Sequence, residues 1–153
     1  MIKLLFVFTL LVLPPQIAAA GDLDLDKYSG KVVVLDFWAS WCVPCRRSFP
    51  WMNDMQEKYA QDGLVIIAVN VDRDVNNAVA FLEEYPADFE IVYDPDVELA
   101  KQFEIEVMPT SFIIDRKGET VERHVGFKVK KQNDYEAAIR AVLDLPIEDR
   151  ATQ

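Results

Sequence analysis

Two cysteines and one histidine are all the thiol and imidazole that the 153 residues contain. A zinc site built on paired cysteines needs a second pair, and the chain has none. Copper handling asks for more soft or imidazole ligands than Cys42, Cys45 and the distant His124 provide. Exported chains commonly use cysteines as staples. Here both belong to one Cys-x-x-Cys, a loop so short that closing it constrains the unfolded chain little. Basic residues are scarce: 16 Lys and Arg stand against 26 Asp and Glu, a net charge of −10. That balance disfavours nucleic acid and anionic membranes as partners and is compatible with solubility or with a basic protein partner. No internal repeat or low-complexity segment divides the chain, whose length fits one domain with a sizeable core.

Long apolar runs are also missing. The ten-residue stretch Leu4 to Leu13 is too short to span a bilayer and ends at Pro14-Pro15. With Lys3 before it and Ala18-Ala19-Ala20 after it, residues 1–20 read as a secretory signal peptide. An uncleaved inner-membrane anchor is the alternative. No cysteine follows the run, so a lipid-modified N-terminal cysteine is excluded. Removing the leader, which carries one lysine and no acid, takes the net charge from −10 to −11. Residues 21–145 then form the expected domain and 146–153 a frayed tail.

What is present is organised around Trp41-Cys42-Val43-Pro44-Cys45. Val32-Val33-Val34-Leu35 before it reads as a buried strand, with the strand running over 31–38. Phe49, Met52, Met55 and Tyr59 after it recur at helical spacing, which predicts a helix over 44–61 ended by Gly63. A pair at such a junction puts the first sulfur at the exposed helix start, where free N–H groups and the dipole favour a thiolate. Arg46 and Arg47 add positive charge. A structural disulfide, half a zinc site and a redox pair all fit two cysteines; a motif of this kind beside a βαβ pattern favours redox chemistry.

Downstream, the sequence predicts a strand over 64–71, a helix over 75–85, a short strand over 89–93 and a short helix over 97–103 opened by Asp94-Pro95. A strand over 111–115, a turn at Arg116-Lys117-Gly118 and a returning strand over 120–125 make a hairpin. Asn133 and Glu136 have the spacing of a capping box for the last helix. His124 reads as an ordinary strand residue, and Met52 and Met55 as core.

Asp36-Phe37-Trp38-Ala39-x-Trp41-Cys42-x-Pro44-Cys45 resembles the thioredoxin active-site segment, and Pro50 sits where that fold kinks its first active-site helix. Over roughly Leu25 to Leu143 the chain is most similar to secreted TlpA/ResA-type thioredoxin-like proteins. The resemblance implies an α/β fold: a mixed central sheet flanked by helices, with an extra helix-strand insertion before a cis-proline loop at Met108-Pro109.

It also implies a periplasmic thiol:disulfide oxidoreductase working without cofactor or metal. Cys42 is then the nucleophile and Cys45 the resolving thiol of a redox disulfide. Trp41, Met108 and Pro109 contact an extended partner chain. Asp36 occupies the position of the buried acid of thioredoxin, where TlpA/ResA-type proteins more often carry Asn. Such a carboxyl has a raised pKa and can move the resolving thiol's proton. Thioredoxin sets a lysine beside that acid, whereas Ile67-Ala68-Val69-Asn70 supplies none. The glutamate that some members use has no counterpart in Asp72-Arg73-Asp74. Expected partners are protein thiols and disulfides such as apocytochrome c, with a transmembrane thiol reductase as electron donor and the chain itself a monomer. The alternatives are a disulfide-forming oxidant of the same fold, or a non-catalytic metal- or protein-binding module. A peroxidatic cysteine would need Thr-x-x-Cys, which Ala39-Ser40-Trp41-Cys42 does not match.

Overall fold

The computed structural model describes residues 23–144. The expected leader, its cleavage point and the tail after Pro146 lie outside them. A 3-10 turn, Leu25–Tyr28, leads in. The elements that follow are β1 (Val32–Trp38), α1 (Cys45–Tyr59), β2 (Leu64–Asn70), α2 (Val75–Glu84), β3 (Glu90–Tyr93), α3 (Glu98–Gln102), β4 (Thr110–Ile114), β5 (Thr120–Val125) and α4 (Gln132–Leu143). The five strands form one sheet in the order β3-β2-β1-β4-β5. The first three are parallel, and β4 and β5 return antiparallel. This is a mixed α/β thioredoxin-like fold, a central sheet flanked by helices, in which α2 and β3 are the extra unit.

The centre of the sheet follows from composition. β1 is apolar at every position but Asp36 and is buried throughout, as a strand covered on both faces must be. The outer strand β5 is mostly exposed and carries Glu122, Arg123 and His124. Phe49, Met52, Met55 and Tyr59 form the buried face of α1. Gly63 adopts φ +95° just beyond that helix, and a Cβ there would meet Arg116 Nη1 at 2.9 Å. That guanidinium donates to the carbonyls of Gly30, Asp62 and Leu143, tying two loops to the C-terminal end of α4.

Two helix caps differ from the sequence expectation. Asp94 does cap α3, its carboxyl accepting from Glu98 N (2.8 Å) and Ala100 N (2.9 Å), but the helix starts only at Glu98. Pro95 therefore lies in the preceding turn, which ends on Val97 at a left-handed φ of 55°. The capping box at Asn133 does not form. A 3-10 turn, Val129–Lys131, runs straight into α4, leaving Asn133 inside the helix, and Glu136 turns to Lys58 and Tyr59 at 2.5 Å each.

Candidate active site

The β1 strand ends at Trp38, and the chain turns through Ala39 to Pro44 before α1 begins. Cys42 N donates to Ala39 O at 3.0 Å, which closes the turn. Cys42 and Cys45 are joined by a disulfide. Cys42 lies ahead of the helix rather than in it, and Cys45, the first residue of α1, donates its N–H to Cys42 Sγ at 3.3 Å. An N–H aimed at sulfur from a helix start is the local arrangement that stabilises a thiolate. Cys42 is not the open sulfur that the sequence suggests: it is 3% exposed against 0% for Cys45, while Trp41 at 66% and Val43 at 55% stand out on either side.

A second set of bonds fixes this turn from below. Asp72, buried just after β2, accepts from Ser40 N (2.8 Å), Ser40 Oγ (2.9 Å) and Asn70 Nδ2 (2.8 Å). The acid takes up donors that would otherwise be buried without partners. It secures the segment two residues before Cys42.

The cis-proline loop enters from the other neighbour of β1. The Met108–Pro109 peptide bond is cis. Phe37 pairs with Thr110, so the register sets Pro109 beside the end of β1 from which the disulfide turn departs. Thr110 Oγ1 donates to Val107 O and Gly126 N to Pro109 O, both at 2.7 Å, holding the loop against the end of β5. Met108 is half-buried; Val107 and Val125 are exposed.

Asp36 lies behind this face. On β1 its partners across the sheet are Ala68 on one side and Ser111 on the other. Ser111 Oγ donates to Asp36 Oδ1 at 2.5 Å, and Oδ2 has no hydrogen-bond partner. Burial pushes the carboxyl up to about 7, against which the Ser111 hydroxyl pulls it down. Asp36 lines a cavity of about 20 Å³ shared with Ser48, Pro109, Ser111, His124 and Tyr135. Ser48 Oγ in turn bonds Cys45 O at 3.1 Å, so the cavity lies one helical turn beyond the buried sulfur.

The fold therefore gathers Trp41, Cys42, Cys45 and the Met108–Pro109 loop at one end of β1, with Asp36 one layer beneath. No hydrogen bond joins Asp36 to either sulfur among the described residues. The sequence alone singles out neither Ser111 nor Ser40 and gives Asp72 no role, and His124, an ordinary strand residue by sequence, lines the Asp36 cavity. A hydroxyl in an otherwise apolar strand directly after the proline loop was the available signal for Ser111. Asn-x-Asp at the end of an apolar strand was the signal for Asp72. Among the described residues no group of three His, Cys, Asp or Glu side chains could hold a metal ion.

Three comparisons bear on this arrangement. A family profile described as Redoxin matches residues 18–139. The thiol-disulfide oxidoreductase ResA of Bacillus cereus is 34% identical over 110 residues, 72% of this chain and 64% of that protein. ResA of Bacillus subtilis (strain 168) is 31% identical over 114 residues, 74% of this chain and again 64% of the relative. The chain thus spans just under two thirds of the length of these curated relatives. Among solved structures, a Chlorobium tepidum protein provisionally named thiol:disulfide interchange protein DsbE superposes with a TM-score of 0.76 at 46% identity, over 78% of this chain and 84% of that one. StoA from Bacillus subtilis superposes with a TM-score of 0.61 at 28% identity, over 71% and 84% of the two chains.

Proposed function

The chain belongs to the Redoxin family of the thioredoxin-like superfamily, close to the ResA- and DsbE-type proteins, and we propose that it is a thiol-disulfide oxidoreductase that reduces disulfides of exported proteins. The observation that carries this reading is the N–H of Cys45, aimed from the start of α1 at Cys42 Sγ. In the reduced protein the Cys42 thiolate attacks one sulfur of a substrate disulfide, forming a mixed disulfide and expelling the other sulfur as a thiolate. Cys45 then loses its proton to Asp36 and attacks Cys42 Sγ. The Cys42–Cys45 bond forms, the bond from Cys42 to substrate breaks, and the second substrate thiolate leaves. Two electrons pass from the protein dithiol to the substrate. The substrate thiolates take their protons from solvent, and Asp36 returns its own there.

The substrate chain lies across Trp41, Met108 and Pro109, with exposed Val43, Val107 and Val125 extending the apolar rim. A protein acting on exported substrates works outside the cytoplasm. The leader over residues 1–20 is our proposed route there, and the periplasm the proposed compartment. Apocytochrome c with an oxidised cysteine pair is a fitting substrate, and a transmembrane thiol reductase a fitting electron donor. Equilibration of the Cys42–Cys45 pair with glutathione tests the direction. A reductant should have a potential nearer the value of about −270 mV for thioredoxin than the value of about −120 mV for strong oxidants of this fold. A potential at the oxidising end overturns the reductive reading.

A further inference from the structure

Among the described residues Ser111 holds the one hydrogen bond to the buried Asp36 carboxyl, and it holds it asymmetrically. Its hydroxyl occupies Oδ1 at 2.5 Å, while Oδ2 has no protein partner. The cavity lined by both residues is about 20 Å³, roughly the room one water needs. We propose that Ser111 is a positioning residue for proton transfer: by engaging Oδ1 it fixes the carboxyl and leaves Oδ2 as the oxygen that takes up and releases the proton. The inference rests on the role proposed above for Asp36.

The surroundings make the hydroxyl decisive. From β2, Ala68 faces Asp36 across the sheet and brings no charge. From α1 come Ser48, Trp51 and Met52, and Ser48 Oγ in turn bonds the carbonyl of the buried Cys45, which adds a thiol when the protein is reduced. From α4 comes Tyr135, and from β5 His124, whose Nε2 is 2.6 Å from Glu122 Oε1. Among the described residues no lysine or arginine lines the cavity. The ionised carboxylate thus depends on one donor, and a hydrogen bond to the charged form favours that form. Removing the donor must raise the carboxyl further above its position near 7.

The experiment mixes the fully reduced chain with excess 5,5′-dithiobis(2-nitrobenzoate) in a stopped-flow instrument. A first, reagent-dependent release of coloured thiolate reports attack by Cys42. A second, reagent-independent release reports resolution by Cys45, recorded from mildly acidic to mildly alkaline pH. In Ser111→Ala the midpoint of the resolution profile should rise by about one unit, the scale set by losing a hydrogen bond to a charged group. Ser111→Thr, which restores the hydroxyl, should return it to the parental value. The attack phase should stay unchanged in both. His124→Gln should keep the parental midpoint; a midpoint lost with His124 assigns the titration to the imidazole and overturns the inference. If Asp36→Asn abolishes the profile but Ser111→Ala superimposes on the parent, the inference fails while the role of Asp36 stands. If Asp36→Asn keeps the parental profile, that role fails and this inference with it. Urea melts of the oxidised variants accompany the kinetics. Should Ser111→Ala be unfolded, the Thr variant and Ser111→Val, which matches Thr in size but lacks the hydroxyl donor, carry the test: Val must raise the midpoint and Thr must not.

Discussion

A buried carboxyl with a single hydroxyl partner works against the fold that contains it. Asp36 is pushed up to about 7 by desolvation, only partly countered by Ser111, against about 3.9 in an unfolded chain. The unfolded chain therefore releases this proton first. Whatever stability the neutral acid permits is fully present below about pH 4 and is lost as pH rises through about 7. The full loss is on the order of 4 kcal/mol. Asp36→Asn keeps a polar group beside Ser111 and never ionises. It should match the parent in urea melts of the oxidised protein at the acidic end. It should then gain on the parent as pH rises, levelling off above neutrality. A constant difference between the two across that range would show that Asp36 does not titrate with folding. On the proposed mechanism, catalysis and stability make opposite demands on this residue.

At the scale of elements, legibility followed the reach of the signal. Apolar runs and turn signals located the strands of the described sheet, Asp94-Pro95 located α3, and helical spacing located α1, α2 and α4, because burial on a face is written into spacing: Phe49, Met52, Met55 and Tyr59 are all buried on α1. Caps were less legible, since a cap depends on where a side chain points. Asp94 reaches over Pro95 and Asp96 to the N–H groups of Glu98 and Ala100, while Asn133, with the better-known pattern, caps nothing. The two make a paired prediction. Asp94→Ala strips two bonds from the start of α3 and should cost about 2 kcal/mol. Asn133→Ala lies on the exposed side of a formed helix and should leave stability unchanged or slightly raised. Chemical denaturation of the two variants checks both; an equal loss in each would restore the capping box. The Ser111–Asp36 bond was illegible for a similar reason. It joins residues 75 apart in sequence, and only the antiparallel register of β4 on β1 makes them opposite.

At the scale of the molecule, the site occupies one end of the sheet and the chain's whole supply of thiols is spent there. Cys42 and Cys45 are the only cysteines in the 153 residues, so nothing else in the chain can re-reduce them. On the proposed reductive reading, a protein working in an oxidising compartment must draw electrons from outside itself. It must also first reach that compartment. Among the described residues no helix is long and apolar enough to cross a membrane. The proposed route of export is residues 1–20, where Lys3, the run Leu4 to Leu13 and Ala18-Ala19-Ala20 follow the order of a cleavable leader. Expressed from its full sequence in a diderm bacterium, the protein should appear in the periplasmic fraction with Gly21 as its N-terminus in mass spectrometry. An intact Met1 in the membrane pellet would establish the anchored alternative and still leave the dithiol facing the periplasm. An intact Met1 in the cytoplasmic fraction would remove export altogether, and with it the proposed substrates.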